Sequence, residues 1–247
     1  MSGDLVSLHM LLVGAAPADE DMWREGATQA SVPIAFTSGD ASAAKVALRR
    51  GGMDFCVLVS ALDDIDKASV IKAALARRPV PLIFASAPRG SVRPDNVNGV
   101  LPVPADAGEA RKILEICVRA RMPTQVLVAA DSDSLRGVVR KTLVASHFDL
   151  DVHEAADSAD TLNRLRKGSF GLVFLDSNMP GLNGADILRG IKRERPNVAI
   201  VMMSSALMRG APDRPHVSDA LAFLKKPFYP ADVDAVLERY FGLSESD

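Results

Sequence analysis

Apolar and polar positions fall along this chain in two alternating kinds of block. Short, mainly apolar runs at His9–Gly14, Val32–Phe36, Phe55–Val59, Pro81–Ala85 and a brief Val100–Leu101 suit parallel strands covered on both faces. Between them lie helix patterns. Asp19, Glu20 and Asp21 favour a helix start through dipole and capping effects, with the helix running to about Gln29. Ala41–Arg50 has a glycine stop at Gly51–Gly52, and Ser69–Arg78 is closed by Pro79. Ala87–Val103, holding Pro88, Gly90, Pro94, Gly99 and Pro102, predicts loop with little or no helix. A helix over Glu109–Arg121, with Ile113, Leu114, Ile116 and Cys117 apolar, ends the series.

The same rhythm then begins again. Strands are predicted at Val126–Ala129, Asp151–Ala155, Leu172–Leu175, Ala199–Met203 and Ala222–Leu224. Helices are predicted at Leu135–Val144, Ala159–Lys167, Ala185–Glu194 and Ala231–Phe241. Parallel neighbours require crossover connections, so each half predicts a five-stranded parallel sheet wrapped on both faces, an α/β fold of doubly wound, flavodoxin-like type. Matching stretches support a duplication: Asp40–Gly51 and Asp157–Gly168 share the Asp, a Leu, two basic residues and the Gly in register. Pro104-Ala105-Asp106 and Pro230-Ala231-Asp232 likewise open the last helix of each half. The polar stretch Arg119–Gln125 is the expected linker, dividing the chain into domains at 1–121 and 122–247.

Composition narrows the function. A formal net charge of -2 leaves no polybasic surface for a nucleic-acid backbone, and no DNA-binding module is visible. The longest apolar runs fall short of the ~18 residues of a membrane span, and Met1–Leu8 has no basic leader region, so a soluble cytoplasmic protein is expected. Cys56 and Cys117 read as small core residues of a reducing compartment, since two isolated cysteines make neither a disulfide framework nor a metal pair.

Candidate chemistry concentrates in the second half. Asp176 ends the run Leu172–Leu175 just before Met179-Pro180-Gly181, at the carboxyl edge of a sheet, where open α/β folds place their ligands. An Asp before Pro-Gly can also do no more than start the turn. Three further strand ends offer Asp131, Ser204 and Lys226, and a doubly wound sheet would converge all four in one crevice.

These residues stand in motifs. Residues 124–243 resemble a receiver domain of the two-component response regulators: Val126-Leu127-Val128-Ala129-Ala130-Asp131 is similar to its acidic first-strand motif. Leu175-Asp176-Ser177-Asn178-Met179-Pro180-Gly181 is similar to its phosphoacceptor motif, Met203-Ser204-Ser205 to its hydroxyl switch motif, and Lys226-Pro227-Phe228 to its lysine motif with a cis bond before Pro227. The resemblance implies that Asp176 accepts a phosphoryl group from a phosphohistidine on a sensor histidine kinase or histidine phosphotransfer protein. It further implies Mg²⁺ held by Asp131, Asp176 and the backbone carbonyl of Asn178, with Lys226 and Ser204 contacting the phosphoryl group and Phe223 at the aromatic switch position.

Departures from the pattern matter. Ala130 stands where the first of two adjacent acids is expected, which should weaken Mg²⁺ binding without abolishing it. Gly210, Pro212 and Pro215 predict a fourth helix that is short, displaced or absent, as does Ala87–Val103 in the first half. Domain 1 has Ala15-Ala16 in place of the acids, Val59 in place of the phosphoacceptor and Leu101 or its neighbour in place of the lysine, with only Ser86 kept. It is expected to be a pseudo-receiver that docks, dimerises or restrains domain 2. Three readings follow: a non-enzymatic signalling switch acting by phosphotransfer or contact, an unphosphorylated scaffold, and a phosphatase-like hydrolase. The last usually needs a second carboxylate two residues after the nucleophile, where Asn178 stands.

Overall fold

The computed structural model describes residues 7–88, 90–179, 184–205 and 219–243, the side chains at 184 and 185 excepted. Its elements run β1 (Leu8–Val13), α1 (Pro17–Thr28), β2 (Ile34–Gly39), α2 (Ala41–Arg50), β3 (Phe55–Val59), α3 (Asp64–Leu75), β4 (Leu82–Ser86), β5 (Gly99–Leu101) and α4 (Ala107–Arg121). A second series follows: β6 (Thr124–Ala129), α5 (Asp133–Ala145), β7 (Leu150–Ala155), α6 (Ser158–Lys167), β8 (Leu172–Asp176), α7 (Gly184–Glu194), β9 (Ala199–Ser204), β10 (Ala222–Lys225) and α8 (Pro230–Phe241).

All pairings are parallel, in the orders β2-β1-β3-β4-β5 and β7-β6-β8-β9-β10, so each half is the expected flavodoxin-like sheet. The central strands β3 and β8 are buried along almost their whole length, as unbroken apolar runs require, whereas the edge strand β2 alternates half-buried and exposed residues. Helices α2, α3, α4 and α6 start where an Asp side chain accepts an orphan N–H. Asp40 accepts from Ala43 and Asp157 from Asp160, both at 2.8 Å, so the repeated Asp-to-Gly stretch is the same capped helix twice. The other repeated triplet is not equivalent: Asp106 caps α4, but Pro230 already opens α8 and Asp232 accepts from the Tyr229 N–H behind it.

Three expectations change. Helix α3 begins at Asp64 rather than Ser69, because Asp63 caps it at 2.7 Å from the Asp66 N–H, and it ends at Leu75 rather than Arg78. The expected linker shrinks to Met122-Pro123: α4 ends at Arg121, as predicted, but β6 starts at Thr124 rather than Val126. The chain separates into compact units of residues 1–122 with 241–247, and 123–240, so the last residues count with the first unit rather than the second. Phe241 and Leu243 are buried, the Arg119 guanidinium donates to the Phe241 carbonyl at 2.7 Å, and a Cβ on Gly99 would lie 2.8 Å from the Leu243 Cβ.

Between β4 and β5 the described residues form no helix, as the prolines and glycines predict. The corresponding segment of the second unit, 206–218, lies outside the described residues. Both cysteines are core residues, Cys56 within a cluster with Leu11, Leu58 and Ile83. Burial pushes the Cys56 thiol up to about 12 and that of Cys117 higher still. Because only the thiolate reacts, neither should be labelled by a thiol reagent in the folded chain at neutral pH, and both should react in urea; labelling of the folded protein would show this packing to be wrong. Among the described residues no helix is long and apolar enough to cross a membrane.

Candidate functional site

The carboxyl edge of the second sheet brings the polar strand ends together. Asp176 closes β8 with its side chain 3% exposed, and Lys226, one residue past β10, reaches it with Nζ 2.6 Å from Oδ2. The other carboxylate oxygen, Oδ1, accepts the Asn178 N–H at 3.0 Å. Backbone bonds fix this pair in the sheet: Lys226 N–H donates to the Ser204 carbonyl at 2.8 Å, and Ser177 N–H to the Met203 carbonyl at 2.9 Å. Ser204, the last residue of β9, is 6% exposed, so a hydroxyl, an amine and a carboxylate belong to adjoining strand ends. The Lys226–Pro227 peptide is cis, as the lysine motif implies. Phe223 sits on β10 opposite Met202 and is 39% exposed.

Asp131 belongs to the same edge. Ala129 pairs with Leu175 across β6 and β8, so the Ala130-Asp131 turn leaves the sheet beside Asp176. Ala130 is fully buried and Asp131 exposed. Asp133 faces solvent and pairs with Arg136. Of the predicted phosphoacceptor turn, residues 180–183 lie outside the described residues.

Could these residues hold a divalent cation? Among the described residues no three His, Cys, Asp or Glu side chains gather as a metal-binding group. Two carboxylates, Asp131 and Asp176, with the Asn178 carbonyl nevertheless make an all-oxygen donor set, the chemistry a hard ion such as Mg²⁺ takes while keeping several waters. The set fits such an ion, with one acid fewer than the motif normally offers.

Sheet register makes the comparison with the first unit exact to the residue. Val59 pairs with Ser86 as Asp176 pairs with Met203, so Val59 stands at the register position of Asp176. Two other assignments shift. Val13 pairs with Leu58 as Ala129 pairs with Leu175, which puts Gly14-Ala15, rather than Ala15-Ala16, in place of Ala130-Asp131. Ser86 matches Met203, not Ser204, and two residues beyond the Ser86–Leu101 and Met203–Leu224 pairs stand Val103 and Lys226. Ser86 is therefore not the counterpart of Ser204; its Oγ donates to the Pro102 carbonyl at 3.3 Å. Hydrocarbon closes the crevice itself. Leu62 is buried over Gly14, whose φ of +81° suits glycine, and a Cβ there would fall 1.7 Å from Leu62 Cδ1.

Two residues escaped the sequence reading. Leu62 stands near the polar Ser60, Asp63 and Asp64, with no pattern to mark it. Arg136 carries a signal, since a cation in the first turn of a helix opposes the macrodipole.

With this geometry in view, comparisons with known proteins are consistent. Residues 126–238 match the family model described as the response regulator receiver domain. Chemotaxis protein CheY-3 of Vibrio cholerae is 28% identical over 119 residues, covering 47% of this chain and 91% of that protein. The two-component response regulator ARR14 of Arabidopsis thaliana is 34% identical over 80 residues, covering 32% of this chain and 21% of that protein. A solved structure titled "Structure of probable two-component system response regulator/GGDEF domain protein" superposes with a TM-score of 0.59 at 19% identity, covering 95% of this chain and 98% of that one. At that identity the likeness speaks for the two-unit fold.

Proposed function

Residues 126–238 belong to the response regulator receiver domain family, and from that premise we propose that this chain is a phosphoryl-accepting switch of two-component signalling. The single observation that carries the proposal is the Lys226–Asp176 contact of 2.6 Å at a buried strand end. A carboxylate so placed is a nucleophile with a cation ready for its product. An Asp176 oxygen attacks phosphorus in line, the P–N bond of a phosphohistidine breaks, its electron pair returns to the imidazole, and an acyl phosphate is left. Lys226 then exchanges the carboxylate for a phosphoryl oxygen, and the Ser204 hydroxyl donates to another. When bound, Mg²⁺ would be held by Asp131, Asp176 and the Asn178 carbonyl and would supply charge against the phosphoryl oxygens. The donor is a sensor histidine kinase or histidine phosphotransfer protein. The modified state is read out by onward transfer or protein contact, with Ser204 and Phe223 moving together.

The first unit takes no part in phosphoryl chemistry. Val59 is no nucleophile and Leu62 fills the neighbouring space. Its work in this reading is docking, dimerisation or restraint of the second unit.

Acetyl phosphate with Mg²⁺ tests the proposal. The full chain should gain one phosphoryl group by intact mass, mapped to Asp176. A chain that gains none is the unphosphorylated scaffold instead. Lys226→Ala should slow uptake by about 10²-fold, the usual cost of one lost donor to a charged oxygen in such a site, and an unchanged rate would remove Lys226 from the mechanism.

A further inference from the structure

The Arg136 side chain leaves the first turn of α5 and folds back over the end of β6, only 12% exposed. Its Nη1 donates to the carbonyl of Ala130 at 2.6 Å and to that of Asp131 at 3.2 Å. Its Nη2 donates to the Asp133 carboxylate and its Nε to Glu154 Oε2 at 3.2 Å. Glu154 stands on β7 opposite Val128, and its second oxygen lies 3.5 Å from Arg140 Nε. All three guanidinium nitrogens are thus engaged, and two acids balance the charge. That is a fixed fork, not a solvated cation.

What the fork holds is the turn that carries Asp131. The Ala130 N–H is bonded to the Ala155 carbonyl at 3.1 Å, while the Ala130 and Asp131 carbonyls are bonded to Arg136. The turn is pinned from the sheet on one side and from α5 on the other. We propose that Arg136 is a positioning residue for the cation site: it fixes the Ala130-Asp131 backbone so that one acid serves where the family usually has two. This rests on reading Asp131 as a metal ligand.

Arg136→Lys in the full chain tests it, because lysine keeps the charge and loses the fork. Arg140→Ala is the control, since Arg140 shares Glu154 and makes no recorded bond to the turn. Without metal, hydrogen exchange of the peptide spanning 129–134 should speed up by about tenfold in Arg136→Lys and not in Arg140→Ala, an increment equivalent to one charge-assisted hydrogen bond. Calorimetric titration with Mg²⁺ should show affinity about tenfold weaker in Arg136→Lys, with the thermal midpoint little moved. Glu154→Gln, which slackens the fork without removing it, should give a smaller loss in the same direction and stands in if Arg136→Lys fails to fold. Unchanged exchange in the turn overturns the clamp. Unchanged or stronger Mg²⁺ affinity overturns the positioning role. A wild type that binds no Mg²⁺ defeats both the metal reading of Asp131 and the positioning role, while faster exchange alone would leave a structural clamp.

Discussion

Asp176→Asn is expected to take up no phosphoryl group under conditions where the wild type takes up one. The amide is nearly isosteric with the carboxylate and keeps an oxygen for Lys226, but it has no charge and is a poor nucleophile. The substitution should not act through unfolding, and the reason lies in an asymmetry of burial. Breaking a buried ion pair costs about 3–5 kcal/mol when the remaining charge stays buried. Lys226, whose side chain is 22% exposed, can carry its amine to water, so Asp176→Asn should cost well under that range. Asp176, 3% exposed, has no such route, so Lys226→Ala should be the more destabilising of the two. Intact mass after acetyl phosphate and a thermal melt separate the effects. Uptake surviving in a folded Asp176→Asn chain would move the phosphoacceptor elsewhere, the first unit included.

Leu243→Ala is expected to destabilise the first unit, far from it in sequence, by about 2–5 kcal/mol, the usual range for truncating a buried leucine. The lower end applies if the terminal segment can shift to refill the space beside Gly99. Trp23 makes this measurable in the full chain. It is the chain's sole tryptophan, it lies buried on α1, and α1 packs against α4, the helix whose Arg119 holds the Phe241 carbonyl. Urea unfolding followed by its fluorescence should shift its midpoint in Leu243→Ala. An unmoved midpoint would mean that residues 241–243 are passengers rather than part of that unit.

How much of this was legible beforehand follows from how local each cause is. The central strands could be read because burial on both faces writes an uninterrupted apolar run, and α2 because its cap and its stop are both single residues. The start of α3 was missed because Asp63 and Asp64 look alike in sequence and only one of them caps. The linker was drawn too long because Thr124 and Gln125 are polar although they open a strand. Asp176, Ser204 and Lys226 could be placed at one edge because each stands at or just past a strand end, and strand ends meet by topology alone. The correspondence between the halves at Ser86, Ala16 and Leu101 is off by one or two residues in sequence, since only the sheet ladder sets the register. Arg136 and Leu62 act through contacts between separate segments, which no local pattern encodes.

The leucine lying across Gly14 leaves the first unit's strand ends no room for acids. A carboxylate placed at position 59 would meet a neighbour packed with hydrocarbon, and one placed at position 14 would collide with Leu62 outright. Building an acidic crevice there would demand that the leucine be shortened and the acids introduced together, each useless without the other. No single substitution can therefore give the first unit the second unit's polar strand ends.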